Sequence, residues 1–235
     1  MNRRLTAALL VAAAVLTNVA FTALGGIFDY PDVLKEPTDD ILAAFRGSQT
    51  AVVAWFTVMA IAAALFAPIA IGVGRLSTTR VMRVAVPVGI AAAVVQVIGL
   101  SRWPLLVPGY AGDAAGADPT AAAAARESFD TAHRILGHLI GETFGYLLTA
   151  AWTLLVLAAI GGAIAGRWFT GLGAVSAVLI LAGVLSPLDL PGVDLANFVG
   201  YVLWSVWLVA FAVVLIRQPA PARTSVLTGQ VRGGR

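Results

Sequence analysis

The chain holds 235 residues, 60% of them hydrophobic and only 11% charged, with a net charge of +3 and no cysteine. That excludes an ordinary water-soluble domain, in which about 25% of residues are charged and about half are apolar; it also excludes disulfide frameworks, cysteine-held zinc and thiol nucleophiles. The basic residues are scattered among apolar runs instead of striped with aromatics, so no nucleic-acid partner is expected and lipid is the natural solvent.

Crossing a hydrocarbon layer takes about 20 mostly apolar residues in a helix. Six stretches qualify: Leu5–Gly25, Thr50–Val73, Val84–Leu100, Ile140–Ala165, Phe169–Leu185 and Phe198–Ile216. The expected fold is therefore all-α, a polytopic membrane helical bundle. The first stretch follows Arg3 and Arg4, but it is longer than the apolar part of a secretory signal and no small-residue cleavage site follows it. It is expected to remain as an anchor. Trp103, Trp168 and Tyr201 fall at span ends, where interfacial aromatics belong. Pro68 and Pro87 lie inside spans and are candidates for kinks around a cavity.

Charge sets the direction. With both termini inside, the inner segments hold ten arginines (3, 4, 75, 80, 83, 167, 217, 223, 232 and 235) and no acid. Lys35, Arg46, Arg102, Arg126, Arg134 and all twelve acidic residues then lie outside. Cytoplasmic loops carry the excess of Lys and Arg, so the expectation is a plasma-membrane protein with both termini cytoplasmic. Residues 1–217 form one transmembrane domain, and 218–235, rich in Pro, Arg, Gly and Thr, read as a disordered tail.

Two long outer connections stand out, Ile27–Ser48 and Trp103–Asp130; loops of that length usually serve a function or are disordered. The first should contain a short helix through Ile41, Leu42 and Phe45, capped by Thr38 or Asp39. A faint repeat relates Leu100–Gly109 to Leu185–Gly192, and Trp55 to Trp152 ahead of Ala-rich runs. It hints at duplicated hairpins; a general preference for Pro and Gly at membrane exits also accounts for it.

The stretch Ala121–Ala165 is the most informative. As one helix it would reach roughly 67 Å, more than twice the hydrocarbon thickness, so its outer half must leave the membrane. Gly137, Gly141 and Gly145 recur every four residues, the small-residue spacing that lets membrane helices approach closely. Asp130, Arg134, His138, Glu142 and Tyr146 recur beside them as a polar ladder. Asp130 and Arg134 read as a solvated face. His138 and Glu142 begin the apolar span, where a carboxylate is costly and usually paired or functional. The expected partner of Glu142 is Arg102, at the outer end of the third span. Asn18, Gln96, Tyr30, Asp189 and Asn197 are further polar groups for that layer. His138 and Glu142 could share a metal, but five residues of α-helix turn His133 about 140° away. With two histidines in the chain, neither metal nor cofactor is expected, and none of the common catalytic or nucleotide-binding motifs is present.

Gly25–Leu34, Arg102-Trp103-Pro104 with Val107-Pro108, Leu136-Gly137 with Gly141-Glu142 and Gly145–Leu148, and Gly200–Ser205 through Trp207 resemble the signatures of a domain-of-unknown-function family of bacterial, mainly actinobacterial, multi-pass membrane proteins. The resemblance runs from Leu5 to Ile216. It implies a multi-helix membrane fold and supplies no activity. It also implies that Glu142 matches a recurrent position of the family's pattern, whereas His138 and Thr143 depart from that pattern, which favours an Arg102–Glu142 pair over a His138 metal site.

Three functional readings follow. The first is a protein that binds or moves a small amphipathic molecule through an outward-facing polar pocket formed by Arg102, Glu142, His138, Tyr146, Asp189, Asn18 and Gln96. The second is an intramembrane enzyme for a lipid or isoprenoid, with Glu142 as acid or base and His138 or Tyr146 assisting. The third is a scaffold or helper subunit; the sequence names no partner for it beyond membrane lipids.

Overall fold

The computed structural model describes residues 2–188 and 190–217. Among them no strand occurs, and six helices are long and apolar enough to cross a membrane: Arg3–Phe28, Gln49–Gly74, Arg80–Ala114, Pro119–Ile164, Gly166–Leu188 and Val193–Arg217. The all-α polytopic bundle read from the sequence is the observed architecture. The expected disordered tail and Asp189 lie outside the described residues.

Each span packs on its neighbours in the chain, and the sixth returns to the first, so the six close into a ring. An even number of spans joined by short connections brings residues 3 and 217 to one face. Lipid tails are as apolar as leucine, so packing of small residues holds such helices together more than water exclusion does. The core of this half is accordingly rich in alanine: Ala7, Ala13, Ala14, Ala70, Ala85, Ala92, Ala93 and Ala212 are all buried. Aromatic rings fill the middle of the ring. Phe66 of the second span meets Trp152 of the fourth edge-on at 4.7 Å and Trp204 of the sixth at 5.5 Å, while Trp152 meets Trp207 at 6.0 Å. These contacts join spans that are not ring neighbours, and together they make an aromatic floor.

Of the two prolines expected to kink spans, Pro68 interrupts its helix. It has no N–H for the Ala64 carbonyl, and the second span breaks at Leu65. Pro87 is carried within the continuous helix Arg80–Leu105.

The other end of the ring is closed by a cap of short helices. Asp29, in the left-handed region at φ 52°, ends the first span by donating its N–H to the Leu24 carbonyl. The chain then makes the 3-10 turn Asp32–Lys35 and the helix Thr38–Gly47. Ile41, Leu42 and Phe45 are buried as expected. The expected cap is not formed, however. The Thr38 hydroxyl donates to Asp130 and Asp39 pairs with Arg126, so both side chains bolt this helix to the helix Pro119–Ala132 instead of closing its own N-terminus. Val107–Ala114 completes the cap.

Trp103 departs from expectation as well. It is fully buried, stacked on Phe56 at 4.8 Å and edge-on to Phe28 at 5.1 Å. Pro104 does not end the third helix; the chain continues to Leu105, turns at Leu106 and folds Val107–Ala114 back over the indole. Trp168, 58% exposed, fits an interfacial role, whereas Tyr201 turns into the ring. The two hairpins of the faint repeat have different surroundings: Trp152 belongs to the floor, Trp55 flanks the cap, and the fifth span ends in the 3-10 turn Gly183–Leu188.

Candidate functional site

The site begins at the seam of the third and fourth spans, where the glycine stripe is received by the third span one residue at a time. A Cβ on Gly145 would stand 3.2 Å from Gln96 Cγ, one on Gly99 would stand 2.5 Å from the Gly141 Cα, and one on Gly137 would stand 2.8 Å from the Arg102 guanidinium. Glycine is required at 99 and 141 because backbone meets backbone there. At 137 the missing side chain makes room for an arginine.

Along this seam, His133–Phe144 is a π-helix, a conformation with i→i+5 bonding that is rare and frequent at functional sites. The Thr143 hydroxyl reinforces it by donating to the His138 carbonyl, five residues back, at 2.9 Å. The wider turn changes which residues meet. His133, expected to point about 140° away from His138, instead meets it edge-on with ring centroids 4.7 Å apart. In a π-helix residues five apart share a face, as residues four apart do in an α-helix. His133 is the site residue that α-helical spacing missed; two histidines five apart in a glycine-rich helix were the only available signal.

The expected Arg102–Glu142 ion pair is not formed. Glu142 Oε2 is engaged by His138 Nδ1 at 2.8 Å, and Arg102 Nη1 donates to the Gly99 carbonyl at 2.6 Å. The i, i+4 neighbour on the same helix reaches the carboxylate first, while Arg102 is drawn over Gly137 and lies 5.3 Å from the Trp103 ring. Arg102 is only 6% exposed, and its Nε has no hydrogen-bond partner within the protein. His133 is 8% exposed and stacked on Phe129 at 5.5 Å; neither of its ring nitrogens has a partner. Asp130 and Arg134 are exposed, as a solvated face should be.

Below this charged group lies a layer of hydroxyls and amides. Tyr146 of the fourth span meets Tyr201 of the sixth at 5.8 Å, again across the ring, and packs against Gly183 of the fifth. Trp204 Nε1 donates to Thr153 at 2.9 Å, and Gln96 donates to Thr149 at 3.1 Å. Tyr30, from the first connection, reaches in beside Phe21 and Phe56. Burial pushes its phenol up to about 12; Glu142 adds to the rise and Arg102 opposes it, so its hydroxyl remains a donor near neutral pH and feels both charges. Asn18 donates to Ser205 at 2.8 Å, joining the first and sixth spans, and Asn197 donates to the Ile180 carbonyl. Tyr30, Tyr146 and Tyr201 are each half-buried.

The sequence-derived set thus separates. Arg102, His138, Glu142, Tyr146 and Gln96 gather on the seam and its interior side; Asn18 lies at the first–sixth contact; Asp189 is outside the described residues. Among the described residues no group of three or more His, Cys, Asp and Glu is arranged to hold a metal ion. What the arrangement offers chemically is a buried cation, a carboxylate–imidazole pair and several phenol donors above an apolar base.

Comparison with known proteins yields one family. Domain of unknown function (DUF4386) matches residues 5–212, nearly the whole of the spanning region, and the chain belongs to it. No curated protein and no solved structure matches.

Proposed function

We propose that this member of the DUF4386 family binds a small amphipathic molecule in the space between cap and aromatic floor, from the outer side of a plasma membrane, with both termini cytoplasmic. The observation that carries the reading is the pairing of a polar layer with an apolar base. Half-buried Tyr30, Tyr146 and Tyr201 carry phenol groups near the Glu142–His138 pair, and Phe66, Trp152 and Trp204 form an aromatic cluster across the ring. Ligand sites commonly combine apolar walls with a few placed polar groups. The orientation is supported by Arg3, Arg4, Arg75, Arg80, Arg83, Arg167 and Arg217 at one face, opposite the acidic cap.

Native mass spectrometry of the gently purified protein is expected to retain a lipid-sized mass. Amphiphiles should raise Tm in nanodiscs, and Tyr146→Trp, which fills the layer, should abolish the rise. A clean apo mass together with no stabilisation by any amphiphile would remove the reading. The chain lacks cysteine, so single cysteines test the orientation directly: Asp113→Cys should react with an impermeant maleimide on intact cells and Thr78→Cys should not.

The Glu142–His138 hydrogen bond supports a second reading, an intramembrane acid–base enzyme acting on a lipid or isoprenoid. In that case Glu142→Gln changes the lipid profile of the cell; an unchanged profile eliminates the idea.

A further inference from the structure

The hydrogen-bond inventory of the site is incomplete in one place. Nearly all buried polar side chains in proteins find a partner, and a buried arginine ordinarily has a carboxylate against it. Arg102 has neither a carboxylate in contact nor a partner for Nε, because His138 holds Glu142 and Gly99 supplies only a carbonyl. His133, within electrostatic reach of Arg102, presents two buried nitrogens, both without a partner. The remaining orphaned side-chain atoms among the described residues are indole nitrogens of Trp103, Trp152 and Trp207, packed among aromatic rings. The unsatisfied donors that belong to ionisable side chains are therefore together, on adjoining spans, at the place where Gly137 leaves room for a guanidinium.

We propose that Arg102 and His133 hold the oxyanion headgroup, a phosphate or a carboxylate, of the amphiphile, with its chain directed toward the aromatic floor. This rests on the binding reading above and specifies its ligand class. Guanidinium is suited to such groups because its planar fork matches two oxygens at once. Imidazole supplies one further N–H, or two when protonated. His138 engages the Glu142 carboxylate, so that carboxylate makes no contact with Arg102 and the guanidinium is left for the ligand. The Tyr30 hydroxyl, which feels both Arg102 and Glu142, is a neutral donor for the same headgroup.

The test measures Tm and binding for the full chain with four probes: decyl phosphate, decanoate, decanol and inorganic phosphate. The two chain-bearing anions are expected to bind, and decanol much less. R102Q should weaken decyl phosphate about tenfold or more, the worth of a charge-assisted hydrogen bond. H133Q, which keeps polar bulk and serves should R102Q not fold, should weaken it severalfold. Decanol binding as tightly as decyl phosphate, or unaltered decyl phosphate affinity in H133Q and R102Q, would overturn the anion assignment while leaving the binding space intact. Inorganic phosphate binding that R102Q abolishes, with no response to any decyl probe, would keep the Arg102–His133 site and overturn the amphiphile reading. Silence with all four probes overturns both. Competition by phosphatidic acid in phosphatidylcholine nanodiscs would support a bilayer lipid as the source of the headgroup, and its absence a soluble amphiphile.

Discussion

The ring and the cap are both built around buried aromatic side chains, but different forces hold them. The ring core is alanine-rich, its three-way aromatic contacts cross from span to span, and its outer surface exposes Val, Ile and Leu such as Val15, Ile61, Val178 and Val206. In lipid those exposed residues cost nothing, and association depends on close approach of backbones. The cap core gathers Phe28, Phe45, Phe56, Trp103 and Phe129 from five separate segments. Its rim carries Arg126–Asp39, Lys35–Asp194 and Arg46 on the Ala111 carbonyl. That is the organisation of a water-soluble core, with apolar burial at the centre and charge at the edge. The polar layer lies where the two regimes meet, which is why a buried arginine, two histidines and three tyrosines can be accommodated there.

The comparison can be broken at its strongest point first. Gly99→Leu or Gly141→Leu places a side chain where the opposing backbone stands; the expected outcome is loss of folded monomer in detergent size-exclusion chromatography. A normal elution profile would mean that close backbone approach does not hold the ring. In the cap, Phe45→Ala should cost about 3–5 kcal/mol, as for other buried aromatics. Hydrogen exchange should then rise across Thr38–Gly47 and Val107–Ala114 while the spans stay protected. Equal loss of protection in the spans would show one cooperative unit instead of two.

Smaller effects sharpen the contrast at its rim. The Arg126–Asp39 pair is substantially exposed, with side chains 38% and 67% accessible, so Arg126→Gln should lower stability by about 0.2–1 kcal/mol, an effect that shrinks in high salt. The smallest effect is at Tyr30. Its folded-state phenol ionises near 12 against 10.0 ordinarily, so between those values the unfolded chain loses the proton first and stability falls as pH rises. Tyr30→Phe should flatten that alkaline decline in a melting series from pH 9 to pH 12; an unchanged slope would show that the phenol is not buried as described.

Much of this was legible in the residues. Apolar runs located the six spans, the four-residue glycine stripe located the seam, and the polar ladder put His138, Glu142 and Tyr146 beside it. The pairing within the seam was not legible. An α-helical count separated His133 from His138, and charge alone matched Arg102 to Glu142. Trp103-Pro104 read as a membrane exit and became the centre of the cap.

What the sequence alone determined is the solvent of each segment, because transfer to lipid depends on local composition summed over some twenty residues. Which polar groups meet is a different kind of quantity. It depended on a π-helix that packs through Gly141 against Gly99 and on a cap helix that packs with Trp103, and both involve contacts between distant parts of the chain. Only the closed ring brings those parts together, so only the tertiary structure decided that Glu142 is held by its own helix and that Arg102 is left without a carboxylate in contact.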